Sequence, residues 1–218
     1  MPRRPRLATG GIIFHVLNRA ARQLPIFEAP GDYDAFLGIL REAQERLPLT
    51  LFAFCIMPNH WHLLARPRSD RELSHFMAWL TTTHAQRWRA HRATRGGGSV
   101  YQGRFKALPV QDDEHFLTVC RYVERNALRA GLVARAEQWP WSSLCSVRRT
   151  CEVPLLSPWP IVKPQRWVEL VNLPEPPGRL ADIRERVRRG AAFGDPQWAA
   201  RLGAAGSGRA RRGRPRRR

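Results

Sequence analysis

The stretch "LTLFAFCIMPNHWHLLARP" (49–67) constrains the fold most, because a turn signal divides one apolar run into two. Pro58 and Asn59 supply that signal. The segments on either side, 49–57 and 60–67, have the length and the apolar composition of strands. Two strands joined by so short a turn pair in antiparallel fashion. The sequence therefore predicts a β-hairpin.

Two histidines flank one tryptophan where the second of these strands begins. Because successive side chains of a strand point to opposite faces, His60 and His62 lie on one face and Trp61 on the other. Two imidazoles on the same face form half of a metal site. A histidine pair on a strand is more often hydrogen-bonded structure than a pair of ligands, so both interpretations stay open at this point.

The remaining patterns complete a β-α-β-β-α-β-α order. We predict strands at 11–19, 49–57, 60–67 and about 105–110, and helices at 31–47, 70–93 and 112–133. This order is typical of the ferredoxin-like fold with one added helix. The expected fold class is α+β, with an antiparallel sheet that carries helices on one face, over residues 1–133.

The chain changes in character after residue 133. Residues 134–205 are rich in proline and tryptophan, and we expect them to form an extension that wraps the first domain, with a helix near 179–190. Residues 206–218 contain glycine and arginine without an apolar anchor, which predicts a disordered DNA-binding tail. Arg212 and Arg214 stand there in an Arg-Gly-Arg-Pro core, which suits the minor groove of A·T-rich DNA or acts as a general polycation.

The charge of the chain points to a polyanionic partner. The formal net charge is +19 and the isoelectric point is near 11.5. Lys106 and Lys163 are the only lysines, so arginine supplies nearly all of this charge. Arginine suits phosphate contacts and stacking on bases, and a GC-rich genome is an equally good explanation of the bias.

Cysteine use and hydropathy bear on the compartment. The four cysteines show neither a C-x-x-C pair nor zinc-ribbon spacing, which favours a reducing compartment. The N-terminal apolar patch is too short for a signal peptide, and no run has the length of a membrane span. We expect a cytoplasmic protein, associated with the nucleoid and not with a membrane.

A second group of polar residues lies in the predicted helix 112–133. Tyr122 and Asn126 are four residues apart and so share one face of that helix. If the helix docks on the histidine side of the sheet, a hydroxyl and an amide oxygen approach the two imidazoles. The alternative is a tyrosine that packs on the sheet and an asparagine that bonds to a nearby loop carbonyl.

Four segments together resemble the REP-associated tyrosine transposases, relatives of the IS200-like, single-tyrosine HUH transposases. "MPNHWHLLARP", "VYQGRFKA", "RYVERNALRAGLV" and "WPWSSL" occur in the family's order and at roughly its spacing. "WVELVNLPEP", "RRGAAFGDPQWAARLG" and the terminal "GRPRRR" resemble the C-terminal region of one branch of that family. The resemblance therefore extends over nearly the whole chain.

The resemblance implies roles for the residues singled out above. It makes His60, His62 and Asn126 ligands of Mg²⁺, with Mn²⁺ as a substitute, and Tyr122 the nucleophile. The implied activity is cleavage and transfer of single-stranded DNA through a covalent 5′-phosphotyrosine. The implied substrates are hairpin-forming repetitive extragenic palindromes, bound by a monomer or a homodimer. A cation is required because it polarises the phosphate oxygens and offsets the charge that develops in the transition state.

The sequence departs from the family pattern at two positions. Ala127 stands where the family usually has proline after the asparagine. Tyr101 stands where the family usually has tryptophan before Gln-Gly-Arg, and it adds a second candidate hydroxyl. Tyr33, in an amphipathic helix, is most simply a packing residue.

Three further basic residues are candidates for contact with DNA. Arg104 and Lys106 flank Phe105, a combination suited to phosphate contact with base stacking. Arg129 lies on the helix of the tyrosine, where it either holds a phosphate near the reaction or is a solvated cation at the helix end.

Two other functions compete with the nuclease. A DNA-binding regulator of the same fold would keep these residues without using them in catalysis. A binder of structured RNA would need exposed aromatic side chains on the central strands. Trp61 and Phe52 are the candidates, although packing in the core is the favoured interpretation of both.

Overall fold

Four antiparallel strands form one sheet with the order β2-β3-β1-β4. The computed structural model describes residues 9–92, 98–145, 154 and 156–202, apart from the side chain of Gln23. The tail 206–218, with Arg212 and Arg214, lies outside the described residues. The strands are β1 (Ile13–Arg19), β2 (Thr50–Met57), β3 (His60–Arg66) and β4 (Lys106–Val110).

Six α-helices accompany the sheet in the described part of the chain. They are α1 (Pro30–Arg46), α2 (Glu72–His91), α3 (Glu114–Glu124), α4 (Asn126–Arg129), α5 (Trp167–Asn172) and α6 (Pro177–Arg189). Short 3-10 turns occur at Ala21–Gln23 and Ala136–Gln138, and residues 196–202 are also helical. The predicted α+β class with an antiparallel sheet is confirmed. No described helix is both long enough and apolar enough to cross a membrane.

The predicted hairpin is formed by β2 and β3, in a register that pairs Met57 with His60. Its turn is held from outside the hairpin, since the carbonyl of Pro58 accepts hydrogen bonds from the backbone N–H groups of Ile26 (2.8 Å) and Phe27 (3.1 Å). These bonds fix the end of the hairpin at which His60 begins β3.

Helices cover both faces of the sheet, which corrects our expectation of helices on one face. Trp61 packs on Phe36 of α1, with ring centroids 5.8 Å apart, whereas its neighbour His62 contacts Tyr122 of α3 at 5.9 Å. Neighbouring residues of a strand face opposite ways, so α1 and α3 lie on opposite faces. The physical reason is that the middle of β3 is buried on both faces, and both therefore need cover.

The helix predicted over 112–133 is divided into α3 and α4. The chain turns at Arg125 (φ −84°, ψ 0°), and Gly131 ends the region with φ 71°. Backbone hydrogen bonds from Arg125 to Arg121 and from Arg129 to Arg125 still span four residues, each 2.9 Å long. Because the ladder continues on both sides of the turn, the four-residue periodicity of the sequence does not reveal it.

The extension covers both edges of the sheet. Beside β2, the N–H of Ile56 donates to the carbonyl of Trp141, and the N–H of Ser143 donates to the carbonyl of Phe54, both at 2.9 Å. Beside β4, the N–H of Phe193 donates to the carbonyl of Pro109 at 2.7 Å. Exposed strand edges readily pair with other chains, so these contacts protect the sheet.

Two tryptophans anchor the extension in the core. Trp167 of α5 is buried, and its Nε1 donates to Oε2 of Glu124 at 2.6 Å. Trp139 is also buried, and its Nε1 donates to the backbone carbonyl of Ile56 at 2.8 Å. The predicted helix near 179–190 is confirmed as α6, whereas α5 was not predicted.

Candidate active site

A cleft of about 720 Å³ opens where the end of β1, the β2–β3 hairpin, the α3–α4 segment and α6 converge. His60, Tyr122 and Asn126 line it. The cationic side chains that also line it are those of Arg19, Arg104, Lys106, Arg129, Arg184 and Arg188. The cleft thus joins polar residues that are far apart in the sequence.

The two histidines of β3 lie on the same face, as predicted. The ring of His60 meets that of His62 edge-on, with centroids 5.0 Å apart. Nδ1 of His60 lies 2.7 Å from Oδ1 of Asn59, which can only accept, so Nδ1 carries the proton of the neutral ring. Nε2 of His60 therefore keeps a lone pair.

His15 is a third histidine at this place, and sequence reasoning missed it. Its Nε2 lies 2.8 Å from Nδ1 of His62, and both rings are buried. When the shared proton lies on Nδ1 of His62, its Nε2 has a free lone pair as well. The signal in the sequence is one histidine within the apolar strand "GIIFHVLNR", but the pairing of β1 with β3 cannot be read from that strand alone.

The three imidazoles are neutral at neutral pH. Burial lowers the pKa of His60 to about 4, and the positive charges of Arg19 and Arg129 act in the same direction. Burial, with a smaller effect of Arg129, lowers the pKa of His15 to about 3. Burial also holds the pKa of His62 well below its ordinary value. A neutral imidazole is the form that binds a metal ion.

Tyr122 lies between the histidines and an arginine. Its ring meets those of His15 and His62 edge-on, with centroids 5.8 and 5.9 Å away. The guanidinium carbon of Arg129 lies 4.2 Å from the centroid of the tyrosine ring. The side chain is only 6% exposed, so a reacting group reaches it from the cleft.

Asn126 is held by the same arginine. Nη2 of Arg129 donates a short hydrogen bond to Oδ1 of Asn126, which retains a second lone pair. Nδ2 of Asn126 is buried and has no hydrogen-bond partner among the described residues. The amide is therefore only partly satisfied.

Glu175 completes this network from the extension. Its buried carboxylate lies between α5 and α6, with Oε2 3.8 Å from Nη1 of Arg129. That oxygen also has no hydrogen-bond partner within the described residues. Burial lowers the pKa of Arg129, and the negative charge of Glu175 opposes that effect. No pattern in the sequence identified Glu175, because its partner is 46 residues earlier in the numbering.

The donor set is compatible with a divalent cation at an open site. His60 and His62 offer imidazole nitrogens, and Oδ1 of Asn126 keeps one lone pair beside its hydrogen bond from Arg129. The described residues contain no group of three His, Cys, Asp or Glu side chains that would enclose an ion. A site with so few protein ligands leaves coordination positions for phosphate oxygens and water.

Tyr101, the second candidate hydroxyl, lies on the other face of the sheet. Its hydroxyl lies 2.7 Å from Nδ1 of His84 and accepts a hydrogen bond from Nε1 of Trp61 at 3.2 Å. Burial raises the pKa of this phenol. Tyr101 is therefore separated from the cleft. Tyr33 is also buried, stacked on Trp141 with ring centroids 4.0 Å apart.

Three aromatic residues considered for base stacking are buried. Trp61 is 0% exposed, Phe52 is 1% exposed and Phe105 is 7% exposed. Core packing, the favoured interpretation of Trp61 and Phe52, is confirmed, and Phe105 is not exposed for stacking on bases. Trp61 and Phe52 therefore do not supply the exposed aromatic side chains that a binder of structured RNA would need.

The two basic residues near Phe105 differ in their surroundings. Arg104 is exposed in the cleft. Nζ of Lys106 donates to the backbone carbonyls of Val187 (3.1 Å) and Arg188 (3.4 Å), at the end of α6. Lys106 is therefore committed in part to the structure of the extension.

Comparison with known proteins places this chain among the transposases. Residues 9–126 match the family model described as "Transposase IS200 like", which is more than half of the chain. The chain therefore belongs to the IS200-like transposase family, and this membership supports a DNA-processing enzyme.

One similar protein and one similar solved structure point to a particular group within the transposases. The chain is 26% identical over 121 residues to a protein of Haemophilus influenzae that carries the name REP-associated tyrosine transposase, which covers 51% of this chain and 69% of that one. It also resembles a solved structure of a REP-associated tyrosine transposase bound to a REP hairpin, with a TM-score of 0.53 at 17% identity, over 66% of this chain and 82% of that one. The structural likeness confirms the fold, and the predicted resemblance to REP-associated tyrosine transposases is confirmed.

Proposed function

We propose that the chain is a metal-dependent endonuclease and strand transferase that acts on single-stranded DNA through a covalent 5′-phosphotyrosine. The observation that carries this proposal is the position of Tyr122, whose ring lies within 6 Å of His62 in a cleft shared with His60 and Asn126. A nucleophile, two neutral imidazoles and an amide oxygen are the groups that this chemistry requires.

The substrate we propose is hairpin-forming repetitive palindromic DNA. The solved relative is described as bound to a REP hairpin, and the Haemophilus relative carries a REP-associated name. In this chain, the cationic lining of the cleft suits a phosphodiester backbone. We propose that the reaction takes place in the cytoplasm, at the nucleoid. We propose that a monomer or a homodimer carries it out.

In the proposed reaction the oxygen of Tyr122 attacks the scissile phosphorus and gives up its proton to solvent in the cleft. The bond between phosphorus and O3′ breaks, and O3′ takes up a proton to become a free hydroxyl. The positive charge of Arg129, 4.2 Å from the tyrosine ring, offsets negative charge that develops on the phenol oxygen. Attack of a 3′-hydroxyl on the phosphotyrosine reverses these steps and rejoins the strand.

His60, His62 and Asn126 would hold the Mg²⁺ or Mn²⁺ ion in this proposal. When bound, the ion supplies polarisation of the non-bridging phosphate oxygens. The hydrogen bond from Nδ1 of His62 to His15 would leave Nε2 of His62 available as a ligand. Low pKa values keep His15 and His60 uncharged, so that protons do not compete for the ring nitrogens at neutral pH.

One observation favours a second function, that of a DNA-binding regulator. Oδ1 of Asn126 is bonded to Arg129, a contact that competes with ligation of a metal ion. A regulator would keep this contact permanently and use the cationic cleft for binding alone.

Denaturing gels of labelled hairpin oligonucleotides, taken from repeats that flank the gene, separate the two functions. With Mg²⁺ or Mn²⁺ we expect a covalent protein–DNA adduct, which Tyr122→Phe abolishes without loss of DNA binding. Tyr101→Phe is the matched control, because its hydroxyl lies on the other face of the sheet, and it should retain the adduct. Tight binding without adduct or cleavage in either metal would favour the regulator.

A further inference from the structure

We infer that α6 binds the phosphates of single-stranded DNA next to the scissile phosphate, through Arg184 and Arg188. This inference rests on the proposed function, because it concerns DNA held in the same cleft. The family match ends at residue 126, so α6 belongs to the part of the chain that the match does not cover. The ligand is the phosphodiester backbone.

The two arginines share one face of α6. Arg184 and Arg188 are four residues apart, and both line the cleft together with Val187. The adjacent apolar stripe of the helix is fixed, since Ile183 is 2% exposed and Leu180 and Val187 pack against the core. Packing of the apolar stripe thus orients the arginines toward the cleft.

Lys106 attaches the end of α6 to the sheet. Its Nζ donates to the carbonyls of Val187 and Arg188, which belong to the last turn of the helix. The carbonyl end of a helix carries partial negative charge that would repel a phosphate. The ammonium group of Lys106 offsets that charge at the place where α6 meets the cleft.

The positive charges that line the cleft are only partly compensated, by Glu175 beside Arg129 and by Glu185 beside Arg188. Six cationic side chains line it, and none of the described lining residues is an aspartate or a glutamate. Arg184 is exposed, has no ion-pair partner among the described residues, and helps to lower the pKa of Arg129 by repulsion. Mutual repulsion of this kind is relieved when a polyanion binds.

Arg188 can exchange its present partner for a phosphate. It forms an ion pair with Glu185 of the preceding turn, with Nη2 2.7 Å from Oε1, and its side chain is 70% exposed. An exposed pair of this type contributes little free energy, so its loss does not oppose binding strongly. Glu185 also keeps a second arginine partner, Arg189.

The bound strand must be single in this region. Tyr122 is 6% exposed and is reached through the cleft. The phosphate next to it therefore has to enter between α6 and the β2–β3 hairpin of the protein. Arginine contacts to phosphate supply affinity without reading the sequence. We therefore assign α6 to the flank of the hairpin substrate, where the strand is unpaired.

The test compares binding of two labelled hairpins, one with single-stranded flanks and one with a blunt stem. All variants carry Tyr122→Phe, which prevents turnover, and dissociation constants are measured over a range of salt concentrations. For the flanked hairpin, R184Q/R188Q should weaken binding at least about tenfold, since charged hydrogen bonds are lost. The slope of log K against log[salt] should fall by roughly 1.4, or about 0.7 for each phosphate contact. R184K/R188K should keep most of the slope.

The matched control is R41Q/R46Q on α1, which packs on the opposite face of the sheet and makes the same change in charge. It should leave the slope unchanged, and melting curves should show that both double variants are folded. An unchanged slope in R184Q/R188Q, an equal loss in R41Q/R46Q, or an equal loss with the blunt hairpin would overturn the inference.

The same material separates this inference from the proposed chemistry. If R184Q/R188Q lowers the slope while the unsubstituted protein forms no adduct with either metal, the α6 contact stands and the nuclease proposal fails. If the unsubstituted protein forms the adduct while the slope of the double variant is unchanged, the nuclease stands and the α6 contact fails.

Discussion

Asn126 has two competing partners in the proposed reaction. Its Oδ1 accepts from Arg129 in this structure, and the same oxygen is the proposed third ligand of the metal ion. A buried amide nitrogen without a hydrogen-bond partner costs about 1–3 kcal/mol, and Nδ2 of Asn126 has none among the described residues. Glu175, 3.8 Å from Arg129, offers the guanidinium another acceptor. Movement of Arg129 toward Glu175 would free Asn126 for a ligand.

His15 permits a direct test of how the proposed ligand His62 is oriented. Removal of its ring in His15→Leu takes away the hydrogen-bond partner of Nδ1 on His62, so we expect affinity for Mn²⁺ to fall about 10- to 100-fold. Titration calorimetry or electron paramagnetic resonance of Mn²⁺ measures this without DNA. The control is His84→Leu, which removes an equally buried histidine from the other face of the sheet and should leave Mn²⁺ affinity unchanged. Equal affinities in both variants would contradict the role of His15.

Among individual residues, the sequence predicted the candidate nucleophile and metal ligands better than the residues that contact and orient them. Tyr122 and Asn126 have functional side chains at a helical spacing, and His60 has a recognisable partner two residues away. The structure brings these three into one cleft. His15 and Glu175 were missed, because each acts through a contact between segments whose pairing depends on the register of the sheet or on the path of the extension.

The division between α3 and α4 explains how Ala127 fits at the position where the resemblance noted in the sequence implies proline. Asn126 begins α4, so residue 127 lies in the first turn of a new helix. Proline is tolerated in a first turn, whose N–H groups have no partner within the helix, and it is not tolerated in the middle of a continuous helix. Either residue therefore satisfies the backbone at this position, and the buried Ala127 preserves the turn that presents Asn126.

Helix α5 holds α3 against the sheet, and its main contact is a testable source of stability. Trp167→Ala should lower the free energy of unfolding by about 3–5 kcal/mol, because it leaves a cavity and removes a donor from the buried carboxylate of Glu124. Urea denaturation followed by circular dichroism measures this. Leu173→Ala is the control, since Leu173 is 55% exposed, and it should change the free energy by less than about 0.5 kcal/mol. Similar small effects for both would show that α5 is not part of the core.

The elements differ in how well the sequence predicted them. Long periodic segments such as α1, α2 and the β2–β3 hairpin were predicted to within a few residues. Helix α5 has six residues, too few for a periodic signal, and it forms where Trp167 packs on Trp159 and Glu124. The second layer of helices was missed because the burial of both faces of β3 depends on what the chain places above the histidines.

For the whole molecule, the charge is divided between the folded cleft and the tail 206–218. Deletion of the tail removes seven arginines and leaves the rest of the chain strongly positive. We expect weaker DNA binding with a smaller salt dependence, while cleavage at saturating DNA is retained. Gel-shift titrations and adduct assays measure the two effects. A tail of equal length with glutamine in place of arginine separates charge from chain length, and loss of cleavage at saturating DNA would refute this division of roles.

The position of α3, held between the sheet and α5, has a consequence for how far Tyr122 can move. The helix lies between the sheet and α5, and Nη2 of Arg121 ties it to the backbone carbonyls of Leu173 (2.5 Å) and Pro174 (3.2 Å). Under the proposed chemistry, a tyrosine on so firmly held a helix would not move after it is joined to DNA. The attached DNA end would then stay where it was cut, so that resealing with a nearby end would be favoured over transfer to a distant site.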